Sequence, residues 1–345
     1  MEKIRVGIIG AGANTRLHHI PKLQAQQEVE IVGVVNRRRV SSEEVAATFR
    51  IPRIYAHWHE AIDDPETHAI VIGTWPYLHA PATIAALEAG KHVLTEARMA
   101  CNAREAHAMW AAARQRPELT AQIVPAPMSL EVDRTIKRLW AEGWLGTLQF
   151  IEHTAPAPFP AARPPWHWRR DRALSGLNVG QLGIIYEMIM RWVGEATRVV
   201  AHSRILAPVN YTEDGNAVAV SVPDHLDVLA EMVCGAQLHL QQSTATVLKE
   251  GGGTWLYGTE GVLRFHDGQL TGARRGEDVL QPVAVPAEER VGWRVEEEFV
   301  NAIRGREPVR LTSFADGVKY MEFIEAAARS AAQGRAVALP LILDE

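Results

Sequence analysis

Residues 4–9, Ile-Arg-Val-Gly-Ile-Ile, run straight into Gly10-Ala11-Gly12-Ala13-Asn14-Thr15, and that junction restricts the fold more than any other stretch. A short, mostly apolar run without clean alternation suits a strand buried on both faces of a parallel sheet. Residues 16–26 have helical character, which completes the strand–glycine turn–helix context of a dinucleotide fingerprint. Gly10 permits the tight turn, and Gly12 lets the backbone approach a pyrophosphate seated on the helix N-terminus. Ala13, Asn14 and Thr15 complete the expected cradle. Thr15 replaces the usual third glycine, which loosens helix–strand packing but is small enough to fit.

The next strand, 30–35, ends at Asn36-Arg37-Arg38-Arg39. An acid near this point would hold the ribose 2′-hydroxyl of NAD, whereas an arginine accommodates the 2′-phosphate of NADP. Asn36 does not repel phosphate, and Arg37 and then Arg38 can bind it bidentately. The expected cofactor is therefore NADP(H), with NAD the alternative. Apolar strands at 69–73, 91–95 and 120–124 then alternate with helical stretches at 80–89 and 102–115, as a doubly wound sheet requires. Thr74, Trp75, His79 and Glu96 fall at the carboxyl ends of strands, where open α/β sheets place ligands. His79 reads more readily as a packed or capping histidine than as a catalyst.

The chain has 345 residues, enough for two domains. Its net charge of −5 offers no basic field for nucleic acid. Two cysteines cannot form a disulfide framework, no apolar run approaches membrane-spanning length, and a strand pattern already begins at Ile4. The expectation is a cytoplasmic protein acting on a small molecule, without nucleic-acid or membrane partners. His57-Trp58-His59-Glu60 is a poor metal motif, because histidines two apart diverge on a helix, and no metal is expected.

Composition shifts after Pro125-Ala126-Pro127, which divides the chain into 1–124, a dinucleotide-binding domain, and 125–345, an α+β domain whose last helix has the option of packing back on the first. A helix at 130–142 leads to a strand at 148–154, a proline-rich loop at 156–165, and Trp166-His167-Trp168. Alternating segments at 226–233, 237–243, 253–257 and 261–266 predict a large, open, mostly antiparallel sheet. Helices are expected at 293–303 and 314–332. The fold class is thus α/β: a Rossmann doubly wound parallel sheet followed by an α+β domain.

Gly90-Lys91-His92-Val93-Leu94-Thr95-Glu96-Ala97-Arg98 resembles the Gly-Lys-His-Val-x-x-Glu-Lys-Pro loop of the Gfo/Idh/MocA family of oxidoreductases. The likeness extends from the first strand to the Ser330-x-x-x-Gly334-x-x-Val337 ending. It implies a nicotinamide-dependent enzyme acting on carbohydrate-like or cyclic hydroxy/oxo compounds, and a homodimer or homotetramer built on the open sheet. Ala97 stands where the family's catalytic lysine would be. The family's Asp-x-Gly-x-His-x-x-Asp aligns with Gln181-Leu182-Gly183-Ile184-Ile185-Tyr186-Glu187-Met188, so that pattern's acidic and histidine positions are vacant too. With Arg98 in place of proline, the Ala97–Arg98 bond is expected to be trans, since a cis non-proline bond costs about 2.5–4 kcal/mol.

Oxidising an alcohol requires hydride transfer and removal of the hydroxyl proton, and a placed acid/base group supplies roughly 10²–10⁴-fold. The candidates for that role are Glu187, Tyr186 and His167. Arg98 would act as an electrophilic or anion-binding partner, since it stays protonated. Glu187 could instead form an i,i+4 surface pair with Arg191. Trp166 and Trp168 offer indole faces to a ring, and Asn178 and Gln181 offer hydrogen bonds to its hydroxyls. Two alternatives stand beside the oxidoreductase: a cofactor-retaining redox-relay glycosidase or lyase, and a catalytically silent dinucleotide-binding sensor.

Overall fold

The computed structural model describes residues 2–158, 163–246 and 251–343, so 159–162 of the proline-rich loop lie outside the described residues. The chain forms two compact units, Met1–Pro125 with Arg294–Val318, and Ala126–Trp293 with Lys319–Glu345. The first break falls beside the composition shift. The return of 294–318 to the first unit has no marker in local sequence.

In the first unit, strands β1 (Ile4–Ile9), β2 (Val29–Val35), β3 (Arg53–Ile54), β4 (Ala69–Ile72), β5 (His92–Thr95) and β6 (Ala121–Ile123) form a parallel sheet in the order β3-β2-β1-β4-β5-β6. All four residues of β4 are buried, as expected for a strand covered on both faces. The helices are α1 (Ile20–Gln24), α2 (Arg39–Phe49), α3 (Trp58–Asp63), α4 (His79–Glu88) and α5 (Ala103–Arg114). The order reverses between β1 and β4, the switch point at which such sheets bind ligands. The predicted first helix opens with a π-helical turn, Thr15–His19, before α1. Such turns concentrate at functional sites.

The second unit contains α6 (Asp133–Ala141), α7 (Arg172–Ser175) and α8 (Leu182–Val193). Its strands are β7 (Leu148–Pro158), β8 (Ala196–Arg204), the small pair β9 (Val209–Tyr211) and β10 (Ala217–Ala219), β11 (His225–Met232), β12 (Gln237–Thr246), β13 (Gly253–Gly258), β14 (Gly261–His266), β15 (Gln269–Arg274), β16 (Gln281–Pro282) and β17 (Val337–Ala338). Among the described residues, nine of these form one sheet, β16-β15-β14-β13-β7-β12-β11-β8-β17, antiparallel except where β12 runs parallel to β7. Strand β11 alternates, with Leu226, Val228, Ala230 and Met232 buried and Leu229 outward. Val200 pairs with Leu229, and Phe150 lies on the same outward face, so three large apolar side chains are exposed there.

Helices α9 (Val295–Ile303) and α10 (Phe314–Gln333) follow. In the first unit, α9 packs on α1 and buries Phe299 and Val300 together with the carboxylates Glu296 and Glu298. Among the described residues no helix is long and apolar enough to cross a membrane.

Candidate active site

Gly10 adopts φ +84°, which an L side chain rarely tolerates. A Cβ on Gly12 would approach only the Gly73 carbonyl, at 3.3 Å, so its backbone is otherwise open to a ligand. Gly12 and Ala13 are exposed at the start of the helix. These features fit a dinucleotide pyrophosphate.

Asn36 occupies the position after β2, but its amide is used within the protein. Oδ1 accepts from Ala11 N at 2.6 Å, and Nδ2 donates to the carbonyl and hydroxyl oxygens of Ser41. Asn36 thus braces the glycine turn against the first turn of α2. Arg37 and Arg38 are both exposed, and the Arg37 guanidinium lies 4.8 Å from the centre of the Trp75 ring, a cation–π distance. The two residues close together are therefore one from each of the two predicted cofactor segments. Thr74 turns its hydroxyl onto the Trp75 carbonyl.

His79 is buried. Its Nδ1 lies 2.7 Å from the Arg98 carbonyl and its Nε2 3.0 Å from that of Thr74, so neither nitrogen remains for a cofactor. Burial holds its pKa below the ordinary value. The Ala97–Arg98 peptide is cis, against the trans bond expected. Residue types report only the intrinsic preference of an isolated bond. This one sits in a buried loop whose Arg98 carbonyl faces His79, a contact that local sequence does not show.

Asn14 donates to the Glu96 carboxylate, which joins two predicted cofactor residues from the glycine turn and the end of β5. Glu96 also meets His19, a residue the sequence reading passed over. His19 Nε2 is 3.0 Å from Glu96, and its Nδ1 is 2.6 Å from Glu296. Burial alone would lower the His19 pKa. Hydrogen bonds and charge attraction from Glu296 and Glu96 outweigh it and raise the value to about 9. Glu96 is shifted oppositely: burial raises its pKa, but the bond to His19 and its charge hold it below the ordinary carboxylate value.

In the second unit, the predicted acid/base residues of α8 are buried and engaged within the protein. Tyr186 is fully buried and stacks on Phe323 with ring centroids 3.6 Å apart, and its hydroxyl accepts from Ala196 N at 2.7 Å. Burial pushes its pKa up. Glu187 does pair with Arg191, at 2.6 Å, but inside the protein rather than on its surface, and its second oxygen accepts from Ala126 N. Arg191 also reaches Asp133, the Ala126 carbonyl and Ser129, which makes the pair part of a buried network. An apolar helix run told us that these side chains face inward, but not that backbone and ion-pair partners already engage them.

Asn178 caps α8: its Oδ1 accepts from Gly183 N while its Nδ2 donates to the Gly180 carbonyl. It is buried, and both ends of its amide have a partner at the helix start. Gln181 and His167 do line a cavity of about 1160 Å³, along with Ile185 and Met188. The Nδ1 of His167 accepts from Arg169 N, and burial and the neighbouring Arg169 and Arg170 lower its pKa. Trp168 carries the Arg169 guanidinium over its ring at 4.3 Å. Trp166 donates its backbone N–H to Tyr211. The cavity also presents His153, Asn210 and Gln242, which the sequence reading missed. The one available cue was the inward position of a histidine on an alternating strand.

Residues 4–122 match the model of an oxidoreductase family with an NAD-binding Rossmann fold, and residues 134–264 match that of the GFO/IDH/MocA C-terminal domain. The chain is 30% identical to the zebrafish (Danio rerio) trans-1,2-dihydrobenzene-1,2-diol dehydrogenase over 258 residues, 72% of this chain and 73% of that one. The chain belongs to the Gfo/Idh/MocA oxidoreductase family. It is also 26% identical to an uncharacterised oxidoreductase of the cyanobacterium Synechocystis over 296 residues, 83% of this chain and 78% of its relative. Among solved structures it is similar to levoglucosan dehydrogenase in complex with NADH and L-sorbose, with a TM-score of 0.83 at 22% identity, covering 98% of this chain and 99% of that one. A Gfo/Idh/MocA chain with Ala97, Ile185 and Met188 at these positions carries no lysine, histidine or acid there.

Proposed function

We propose that this protein is an NADP(H)-dependent oxidoreductase that transfers hydride to or from a carbohydrate-like or cyclic hydroxy/oxo compound. The observation that carries the cofactor choice is the pair at the end of β2: an Asn36 amide committed to the glycine turn, followed by an exposed Arg37 guanidinium held over Trp75. No carboxylate competes with a 2′-phosphate there, and a planar guanidinium suits it. The substrate class is supported by the relatives, one of which acts on a vicinal diol while a structural neighbour holds L-sorbose.

When bound, the dinucleotide supplies the hydride chemistry. The chain's own residues have separate tasks. Gly10 and Gly12 admit the pyrophosphate, and Arg37 takes the 2′-phosphate. Glu96, fixed by Asn14 and His19, keeps a carboxylate at the end of β5. His167 and Gln181 offer polar groups to a ligand in the cavity of the second unit. Assembly as a homodimer or homotetramer through the outward face bearing Phe150, Val200 and Leu229 is part of the same reading.

A second reading, a silent dinucleotide-binding sensor, is favoured by Ile185 and Met188, which give the cavity apolar walls at the vacant positions. Titration with NADPH and NADH, followed by nicotinamide fluorescence, tests the cofactor; turnover with a panel of sugars, cyclitols and their ketones tests the chemistry. Tight NADPH binding with hydride transfer to one panel member is the expected result. Binding without turnover selects the sensor, and no binding of either nucleotide removes both readings.

A further inference from the structure

The two carboxylate oxygens of Glu96, at the end of β5, are in different situations. Oε1 accepts from Asn14 Nδ2 and lies 3.0 Å from His19 Nε2. Oε2 has no hydrogen-bond partner among the described residues. The side chain is 14% exposed, so this oxygen is not closed off. A carboxylate with one oxygen anchored and the other open is set to meet a donor or a positive charge.

The charge around it does not cancel. His19 is protonated at neutral pH and faces two carboxylates, Glu96 at one ring nitrogen and Glu296 at the other. One positive charge against two negative ones leaves one negative charge in excess. His19 and Glu296 are enclosed, at 0% and 1% side-chain exposure, so the excess is felt at Glu96. Burial would raise the Glu96 pKa, but the bond and charge of His19 and the bond from Asn14 hold it below the usual carboxylate range. His79, the other ring near it, is kept neutral by burial.

The strand order puts this charge on one side of the switch point. The adenosine ribose of a dinucleotide belongs at the end of β2 and the pyrophosphate at the glycine turn after β1. The other nucleotide then continues to the far side of that turn, where β4 and β5 end. Asn14 belongs to the glycine turn, so the Glu96 carboxylate is one side chain away from the cradle. The nicotinamide ring is a cation when oxidised and neutral when reduced, and the two forms are otherwise nearly alike.

We infer that Glu96, anchored by Asn14 and His19, makes this protein bind the oxidised nicotinamide in preference to the reduced one, an inference that rests on the oxidoreductase reading. Glu96 acts on the ring by its charge, and His19 is a positioning residue. The consequence is a direction. Each tenfold preference for the oxidised form lowers the potential of the bound two-electron couple by about 30 mV, which makes it a stronger reductant than the free one. On the protein, the favoured reaction is reduction of the oxo compound: its carbonyl carbon gains a hydride, its oxygen gains a solvent proton, and the ring is left oxidised.

The experiment measures Kd by calorimetry for NADP⁺, NADPH, NAD⁺ and NADH on the full chain and on Glu96→Gln. The glutamine keeps an oxygen for Asn14 and His19 but removes the charge. ADP-ribose and its 2′-phosphate, which lack the nicotinamide, are the controls. The expected result is a wild type that binds the oxidised form more tightly. In Glu96→Gln the ratio of oxidised to reduced affinity should fall about tenfold, a modest effect for one charge beside a part-buried carboxylate, with ADP-ribose affinity unchanged. A wild type that binds the reduced form more tightly, or a ratio unmoved by Glu96→Gln, overturns the inference and leaves the redox reading standing. No binding of any nucleotide removes both. A preference for the oxidised form without turnover on any substrate upholds the inference and hands the site to the sensor reading. The wild-type ratio decides the matter even if the variant fails to fold.

Discussion

His19 Nδ1 lies 2.6 Å from a carboxylate oxygen of Glu296, a residue 277 positions further along the chain. With Glu96 on the other ring nitrogen, a buried imidazole has a carboxylate at each edge. The protonated ring donates to both. Such a ring couples the first turn after the glycine loop to the end of β5 and to α9.

That coupling makes stability pH-dependent. The folded-state pKa of His19, about 9, is above the ordinary value of 6.5, so its contribution is complete below pH 6.5 and is lost as pH rises through 9. The difference corresponds to about 3 kcal/mol. Urea midpoints measured from pH 6 to 9.5 should fall across that window. In His19→Gln they should start lower and stay flatter. A wild-type midpoint as high at pH 9.5 as at pH 6 would remove the imidazolium from the account.

Replacing Arg37 with aspartate should separate the two nucleotides. A charge-assisted hydrogen bond is worth about 1.5–3 kcal/mol, so NADPH affinity should drop about tenfold or more while NADH affinity changes far less. Fluorescence titration of both nucleotides reads this directly. Equal losses would mean that Arg37 does not meet the 2′-phosphate.

Tyr186→Phe and Glu187→Gln should be stability variants rather than catalytic ones. Removing the Tyr186 hydroxyl leaves Ala196 N without that acceptor, at a cost of about 1–3 kcal/mol. Neutralising Glu187 breaks a buried pair with Arg191, which costs about 3–5 kcal/mol. Denaturant midpoints should fall in that order, with ligand affinity retained in whatever fraction folds. A hundredfold fall in turnover by Tyr186→Phe at unchanged stability would restore it as an acid/base residue.

Leu229→Lys tests the outward face of the nine-stranded sheet. Placing a cation beside Val200, its cross-strand neighbour, should shift sedimentation toward monomer without changing the far-ultraviolet spectrum. An unaltered sedimentation profile would mean assembly does not use this face.

The parts of the molecule that were legible from sequence share one property: their signal is local. The apolar run of β4 and the alternation of β11 are written in neighbouring residues, and both strands form close to where those patterns place them. Strand β8 was not legible, because its residue types do not follow its alternating exposure: Val200 is outward, whereas Ala201 and Ser203 are on the more covered side. The return of α9 to the first unit was hidden for another reason. Its polar ties, Glu296 to His19 and Glu298 to Gln122, join positions 277 and 176 residues apart. Site residues divide the same way. Gly10, Gly12 and Glu96 lie in recognisable motifs, whereas His19 and His153 gain meaning only from partners on other elements.

A Cβ on Gly73 would fall 2.0 Å from Thr15 Oγ1 and 2.3 Å from the Gly10 carbonyl. Thr15 stands where the fingerprint expects its third glycine, so the room its side chain takes is returned across the sheet by a glycine at the end of β4. The fingerprint is met here by a volume shared between the helix start and the end of β4 rather than by three letters in one loop. Anyone redesigning this cradle is therefore working with a tandem: even with Thr15 trimmed, a side chain at 73 would still meet the Gly10 carbonyl, and a search confined to the loop overlooks half of the room it needs.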